Sequence, residues 1–93
     1  MREDDIELQR LRDETAATDA QILELVNRRL ELVREIRAHK EANGIAFLDP
    51  DQEARLLARL RELNRGPLSD DAVDRLFGEI LALVKDELSG SGA

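Results

Sequence analysis

The sequence predicts an all-α protein with one long helix and two shorter helices, assembled as an intertwined homodimeric helical bundle. Three observations support this prediction. Leu, Ala, Glu, Asp and Arg dominate the 93 residues, a composition typical of helices. Apolar residues recur at steps of three and four in three segments, and no segment shows the alternation of a β-strand. The first segment is too long for a domain of this size to cover alone.

The first segment predicts a helix from about Ile6 to Ala42. One stripe of apolar or small residues, called the seam below, runs along this helix. The seam contains Leu8, Leu11, Thr15, Thr18, Ile22, Leu25, Leu32 and Ile36. The helix would be roughly 55 Å long at about 1.5 Å per residue, whereas a compact chain of this length has a radius of gyration of about 12 Å. The seam therefore predicts a partner, most simply a second copy related by a two-fold axis.

Two turn signals delimit the second helix. Asn43-Gly44 predicts a left-handed end to the first helix. Asp49-Pro50 predicts the start of the second, with Asp49 as the N-cap and Pro50 at the first helical position. The apolar face of this helix contains Leu56, Leu57, Leu60 and Leu63.

A loop at residues 64–67 leads to the third helix, which Ser69 caps and Asp70 and Asp71 begin with negative charge. Its predicted buried face contains Val73, Leu76, Phe77, Ile80, Leu81, Val84 and Leu88. The helical domain is expected to cover residues 1–88. Residues 89–93 are predicted to form a flexible tail of the kind that expression vectors add.

Charge and composition argue against several classes of function. A net charge of −7 disfavours general nucleic-acid binding, which needs a basic surface. The chain has no cysteine, so it has no disulfide framework or thiolate metal site. The charged start MREDDIELQR lacks the apolar core of a signal peptide, and no apolar run approaches the ~20 residues of a membrane span. We expect a cytoplasmic protein that does not bind membranes.

Familiar catalytic sets such as Ser-His-Asp, Cys-His and glycine-rich phosphate loops are absent from the sequence, and His39 is interpreted as an exposed helix residue. The informative residues are charges in apolar positions. Arg29 occupies a seam position, Lys40 lies about three turns further along nearly the same face, and Arg12 lies on or beside the seam. Glu53 places the opposite charge on the apolar face of the second helix.

Cations on an apolar face are costly unless something anionic meets them. Arginine binds carboxylates through two parallel hydrogen bonds, and lysine is a compact point charge. With Glu53, these cations predict a pocket for a small dianion that also carries a hydroxyl or an ether. The alternative is that Arg29 pairs with Glu53 inside the bundle, which would leave Lys40 and Arg12 unexplained. No metal or cofactor is expected.

The pattern of Arg12, Asp19, Arg29, Lys40, Asp49 and Glu53 resembles the all-helical AroQ class of chorismate mutases. The resemblance rests on LRDETAATDAQILELVNRRLELVREIRAHKEANG, FLDPDQEARLL and GPLSDDAVDRLFGEI, and covers about Leu8 to Ile80. It implies an intertwined three-helix dimer that rearranges chorismate to prephenate in phenylalanine and tyrosine biosynthesis. The implied reaction is a concerted pericyclic step without a covalent intermediate, metal or cofactor. An aromatic-pathway enzyme is a further implied partner.

The resemblance also implies a role for each charged residue. Arg29 would bind one carboxylate of chorismate, and Arg12 from the other subunit would bind the second. Lys40 would donate to a carboxylate and to the ether oxygen, where negative charge grows. Glu53, helped by the backbone near Asp49, would hold the ring hydroxyl.

The sequence departs from the family pattern at three substrate-binding positions. Gln52 stands where an arginine often helps to bind a carboxylate. Val84 stands where the family has a serine, and Leu88 where it has a Gln or Glu that is a second donor to the ether oxygen. Losing one such donor costs ~10²–10³ in rate. We therefore expect a weak enzyme, or one that needs a partner or a further part of the chain, with a protonated Glu87 as a poor substitute.

Two other interpretations stay open. A sibling enzyme would act on a chorismate derivative, as an aminodeoxychorismate mutase or an isochorismate pyruvate lyase does, because Glu53 suits either a hydroxyl or an amine. A non-catalytic helical module would dimerise or regulate a partner. Val84 and Leu88 favour that module, whereas Arg29 on the seam argues against it.

Overall fold

A computed structural model describes residues 3–91 of the chain, with the side chains of residues 5–90. It contains three helices: α1 (Glu3–Ala42), α2 (Pro50–Leu63) and α3 (Asp70–Ser91). The described residues contain no β-strand. The predicted all-α class is confirmed, and α1 begins three residues earlier than expected. No helix within the described range combines the length and apolar character needed to cross a membrane.

The chain divides into two units, residues 1–32 and 33–93. The described part of the first unit is the N-terminal portion of α1, and its seam is exposed in the single chain. Leu25 is 68% exposed and Ile22 is 54% exposed. Thr15 and Thr18 satisfy their hydroxyls within the helix, each donating to the carbonyl oxygen four residues earlier at 2.8 Å. The two threonines of the seam therefore require no polar partner elsewhere.

The second unit holds the buried core. Helix α2 packs against α3, and Val73, Val84 and Leu88 are each only 4–5% exposed. The guanidinium of Arg61 on α2 also contacts the carboxylate of Asp74 on α3 at 2.7 Å. The predicted buried face of α3 is confirmed at its two ends, while Leu76 is exposed in the single chain.

The ends of the helices follow the turn signals of the sequence. Gly44 has a φ of 66°, and the Ile45 N–H donates to the Lys40 carbonyl at 2.9 Å, the arrangement of a Schellman stop. Asp49 Oδ1 accepts from the Gln52 N–H at 3.2 Å, and Ser69 Oγ accepts from the Ala72 N–H at 3.1 Å. Both predicted N-caps are confirmed.

The structure differs from the sequence analysis at the C-terminal end of α3. Ser89 and Gly90, expected to begin a flexible tail, are helical, and residues 92–93 lie outside the described range. Ser and Gly are poor helix formers, but the turn before them is held by packing. Leu88 is buried, and Arg37 Nη1 donates to its carbonyl oxygen at 3.2 Å. This donor satisfies one of the carbonyls that a helix end leaves unpaired.

Candidate functional site

Arg29 on α1 is half-buried, and one of its donors lacks a partner. Its Nη1 atom is buried and makes no hydrogen bond within the described part of the chain. A buried donor without an acceptor costs about 1–3 kcal/mol, and more when it is charged. An anion that accepts from Nη1 would remove this cost. The unpaired atom is therefore what a carboxylate-binding arginine provides.

Lys40 lies in the last turn of α1 and is also half-buried. Its Nζ donates to the Phe47 carbonyl oxygen at 3.2 Å and lies 5.9 Å from the centroid of the Phe47 ring. The Arg37 guanidinium lies 5.8 Å from the same centroid. These contacts tie the connector between α1 and α2 to the end of α1. A lysine ammonium has three donors, and the Phe47 carbonyl uses one of them.

Glu53 in the first turn of α2 pairs with a residue that the sequence analysis did not single out. Its Oε1 atom accepts from Lys85 Nζ on α3 at 2.8 Å. Within the second unit, the partner of Glu53 is therefore Lys85. Sequence spacing gives no signal for this contact, because Glu53 and Lys85 lie on different helices and their approach depends on how α2 and α3 pack.

Asp49 and Gln52 are linked through the cap of α2, and Arg55 lies beside them. Arg55 Nη2 donates to Gln52 Oε1 at 3.0 Å and lies 3.9 Å from Asp49 Oδ2. Arg55 thus brings a positive charge to the neutral position that Gln52 occupies. Its three-residue spacing from Gln52 is a helical contact distance, which is the signal that the sequence analysis missed.

Val84 and Leu88 contribute no polar group to the site, because both side chains are apolar and buried. Lys85, which directly follows Val84, is the residue of this stretch that contacts Glu53. With Arg37, it borders a cleft of about 320 Å³ whose other lining residues are Phe47, Leu48, Leu88 and Ser89. In the second unit, α3 therefore presents a cation beside the apolar Val84 and Leu88.

Arg12 lies on α1 and is exposed. It precedes Arg29 by 17 residues on one continuous helix, so about 25 Å separates their Cα atoms along the axis. This distance is too long for both arginines of one chain to hold a single small molecule. A site that uses both Arg12 and Arg29 must take them from two different chains.

A family model for chorismate mutase type II matches residues 11–87. The match covers most of the chain and contains every candidate site residue named above except Leu88. The chain belongs to the chorismate mutase type II family. This family of isomerases is the one that the sequence resemblance indicated, and the expectation is confirmed.

Curated relatives support the same family. The chain is 38% identical over 64 residues to a bifunctional chorismate mutase/prephenate dehydratase of Neisseria gonorrhoeae, covering 69% of the chain and 17% of the relative. A relative of the same name from Stutzerimonas stutzeri is 34% identical over 81 residues, which is 82% of the chain and 22% of the relative. The chain thus spans about a fifth of the length of these relatives.

Solved structures confirm the chorismate mutase fold. Form II of the chorismate mutase from Thermus thermophilus is 35% identical, with a TM-score of 0.81, over 86% of this chain and 91% of that chain. Form I has the same identity and TM-score over 84% of this chain and 98% of that one. The three-helix architecture of this chain is therefore the chorismate mutase fold.

Proposed function

We propose that the chain catalyses the rearrangement of chorismate to prephenate as a homodimer with two active sites. Family membership supports the reaction, and the unpaired Nη1 atom of Arg29 is the structural observation that supports the site. This half-buried cation is suited to a dianionic substrate. The proposed partner of this chain is an enzyme that consumes prephenate, because the curated relatives carry prephenate dehydratase in their names.

In the proposed mechanism, the protein holds a flexible dianion in its reactive chair conformation. Arg29 binds one carboxylate, and Arg12 of the second subunit binds the other. Lys40 turns its remaining donors toward a carboxylate and the ether oxygen. Glu53 and the backbone near Asp49 hold the ring hydroxyl. Fixing this geometry removes most of the entropic part of the barrier.

The chemical step is a concerted exchange of bonds within the substrate. The ether carbon–oxygen bond breaks while a carbon–carbon bond forms, and negative charge accumulates on the ether oxygen in between. We assign the Lys40 ammonium to this oxygen, because a donor that is already in place stabilises developing charge most effectively. No proton leaves or enters the substrate, so the step requires no general acid or base.

The proposed dimer follows from two features of α1. Arg12 and Arg29 of one chain are too far apart to share a substrate, and the seam is exposed at Ile22 and Leu25. A second α1 packed against the seam would cover these side chains. It would also bring Arg12 of one chain to Arg29 of the other.

Mixing two inactive variants tests the reaction and the shared site together. We expect Arg12→Ala and Arg29→Ala each to abolish turnover while the chain stays folded and dimeric. Arg12 is exposed, and replacing Arg29 removes the cost of its unpaired buried donor. After denaturation and refolding as a 1:1 mixture, half of the dimers are mixed and each has one complete site. About a quarter of the wild-type rate should return.

The readout is chorismate absorbance together with chromatographic identification of the product. Prephenate supports the mutase, whereas release of pyruvate would indicate a lyase acting on a chorismate derivative. A wild-type protein without turnover would contradict the proposed reaction. Active wild type whose mixed variants recover nothing would contradict only the sharing of sites between subunits.

A further inference from the structure

We propose that Lys85 is a positioning residue of the active site, which orients the Glu53 carboxylate for the ring hydroxyl of the substrate. This proposal rests on the proposed function. Lys85 Nζ lies 2.8 Å from Glu53 Oε1 and links α3 to the first turn of α2. The contact occupies one carboxylate oxygen and leaves Oε2 with its own acceptor positions.

The stability of the fold gives little reason for this pair. The Lys85 side chain is 47% exposed and the Glu53 side chain is 37% exposed. Exposed ion pairs typically contribute between zero and 1 kcal/mol because water and salt screen them. The second unit already has a buried apolar core, which includes Val73, Val84 and Leu88. A role in holding Glu53 explains the pair better than a role in folding.

The charge of the substrate gives a physical reason for the pair. A chorismate-like ligand carries two carboxylates, and an ionised Glu53 beside it adds a third negative charge. Repulsion between like charges a few ångströms apart weakens binding, and an adjacent cation offsets it. Lys85 also borders the 320 Å³ cleft, so its ammonium serves Glu53 from the edge of an open space rather than from a packed core.

The position of Lys85 also explains how a site with apolar Val84 and Leu88 retains a polar contribution from α3. Lys85 directly follows the buried Val84 in sequence. Its long side chain can follow the apolar surface while its charged end reaches α2. In this proposal, the Lys85 ammonium of α3 contacts Glu53, and Glu53 contacts the substrate.

The test compares steady-state kinetics in two backgrounds. In the wild-type background, Lys85→Met should raise KM for chorismate roughly tenfold, because the hydrogen bond between the substrate and the charged Glu53 is weakened. The value of kcat should stay within about twofold of wild type, because the hydroxyl contact persists through the reaction. Lys85→Arg keeps the cation and should restore KM to within about threefold. In the Glu53→Gln background, Lys85→Met should change KM by less than about twofold.

A matched control removes the same charge elsewhere on α3. Arg75 is exposed, and Arg75→Met should leave both kinetic constants within about twofold of wild type. An equal rise in KM in the Arg75→Met variant would mean that net charge, and not the pair of Lys85 and Glu53, sets KM. Circular dichroism of every variant checks that the helices are retained.

Three results would overturn the proposal while leaving the mutase activity intact. Unchanged KM in Lys85→Met would show that the pair is idle. A tenfold rise in KM on adding Lys85→Met to the Glu53→Gln background would show that Lys85 acts on the substrate itself. A fall in KM would show that Lys85 competes with the substrate for Glu53. Wild-type protein without turnover would overturn the proposed function, and this proposal with it.

Discussion

Leu88 has a defined role in the fold and occupies a position that matters to the proposed site. Its side chain is 4% exposed, and burying a leucine contributes about 1.5–3 kcal/mol to folding. Its carbonyl accepts from Arg37, so the same residue also anchors the last turn of α3. The resemblance implies a polar donor at this position. In the proposed site, an apolar side chain there would leave the ether oxygen with one donor fewer.

Replacing Leu88 by glutamine should separate these two effects. We expect Leu88→Gln to raise kcat at least tenfold, because an amide restores a preorganised donor at the ether oxygen. The same change should lower the free energy of unfolding by about 1–3 kcal/mol, since an amide enters an apolar environment. Chorismate turnover and urea denaturation measure the two quantities.

Leu83 provides the control for that substitution. It lies on the same helix and is 51% exposed, so Leu83→Gln should leave kcat unchanged. If Leu88→Gln left kcat unchanged as well, the alignment of α3 with the family pattern would be wrong, or another group would already serve the ether oxygen.

The sequence was sufficient to propose the candidate site residues that lie on a single helix. Arg29 and Lys40 were candidates because helical spacing puts them on the seam, where a cation is out of place. The pair between Glu53 and Lys85 was not, because it depends on the packing of α3 on α2. Arg55 beside Gln52 lies between these cases, since its spacing was visible but its partner was a neutral residue.

At the scale of elements, the caps were predictable and the last turn of α3 was not. Asp49 and Ser69 signal their helix starts through local hydrogen bonds, which depend on nearby residues only. The helical Ser89 and Gly90 depend on the burial of Leu88, a tertiary interaction that composition does not encode. Local chemistry thus determined where the helices begin, and packing determined how far α3 continues.

The N-cap of α2 can be tested by itself. Asp49→Ala should lower the free energy of unfolding by about 1 kcal/mol, because the Gln52 N–H loses its side-chain acceptor. Asp49→Asn keeps an acceptor and should stay within a few tenths of a kcal/mol of wild type. Thermal denaturation of both variants measures the difference. An equal loss in both would assign the effect to the negative charge of Asp49 instead of its hydrogen bond.

At the scale of the whole molecule, the seam is the feature to test. We expect wild-type protein to sediment as a dimer at micromolar concentration. Leu25→Glu should convert it to monomer and abolish turnover, because a charge would be buried between two α1 helices. Leu23 is 63% exposed but lies off the seam, so Leu23→Glu should remain dimeric and active. Analytical ultracentrifugation decides, and a dimeric Leu25→Glu would place the interface on another surface.

The exposed seam of the single chain also affects how the amount of protein translates into catalytic output. If each active site requires two chains, only paired chains contribute to flux. Well below the dissociation constant, the number of pairs rises with the square of the chain concentration. Doubling the expression of the gene would then raise flux through the reaction about fourfold in that range. It would raise flux only about twofold at concentrations at which nearly all chains are already paired. Gene dosage would therefore act most strongly where the protein is scarce.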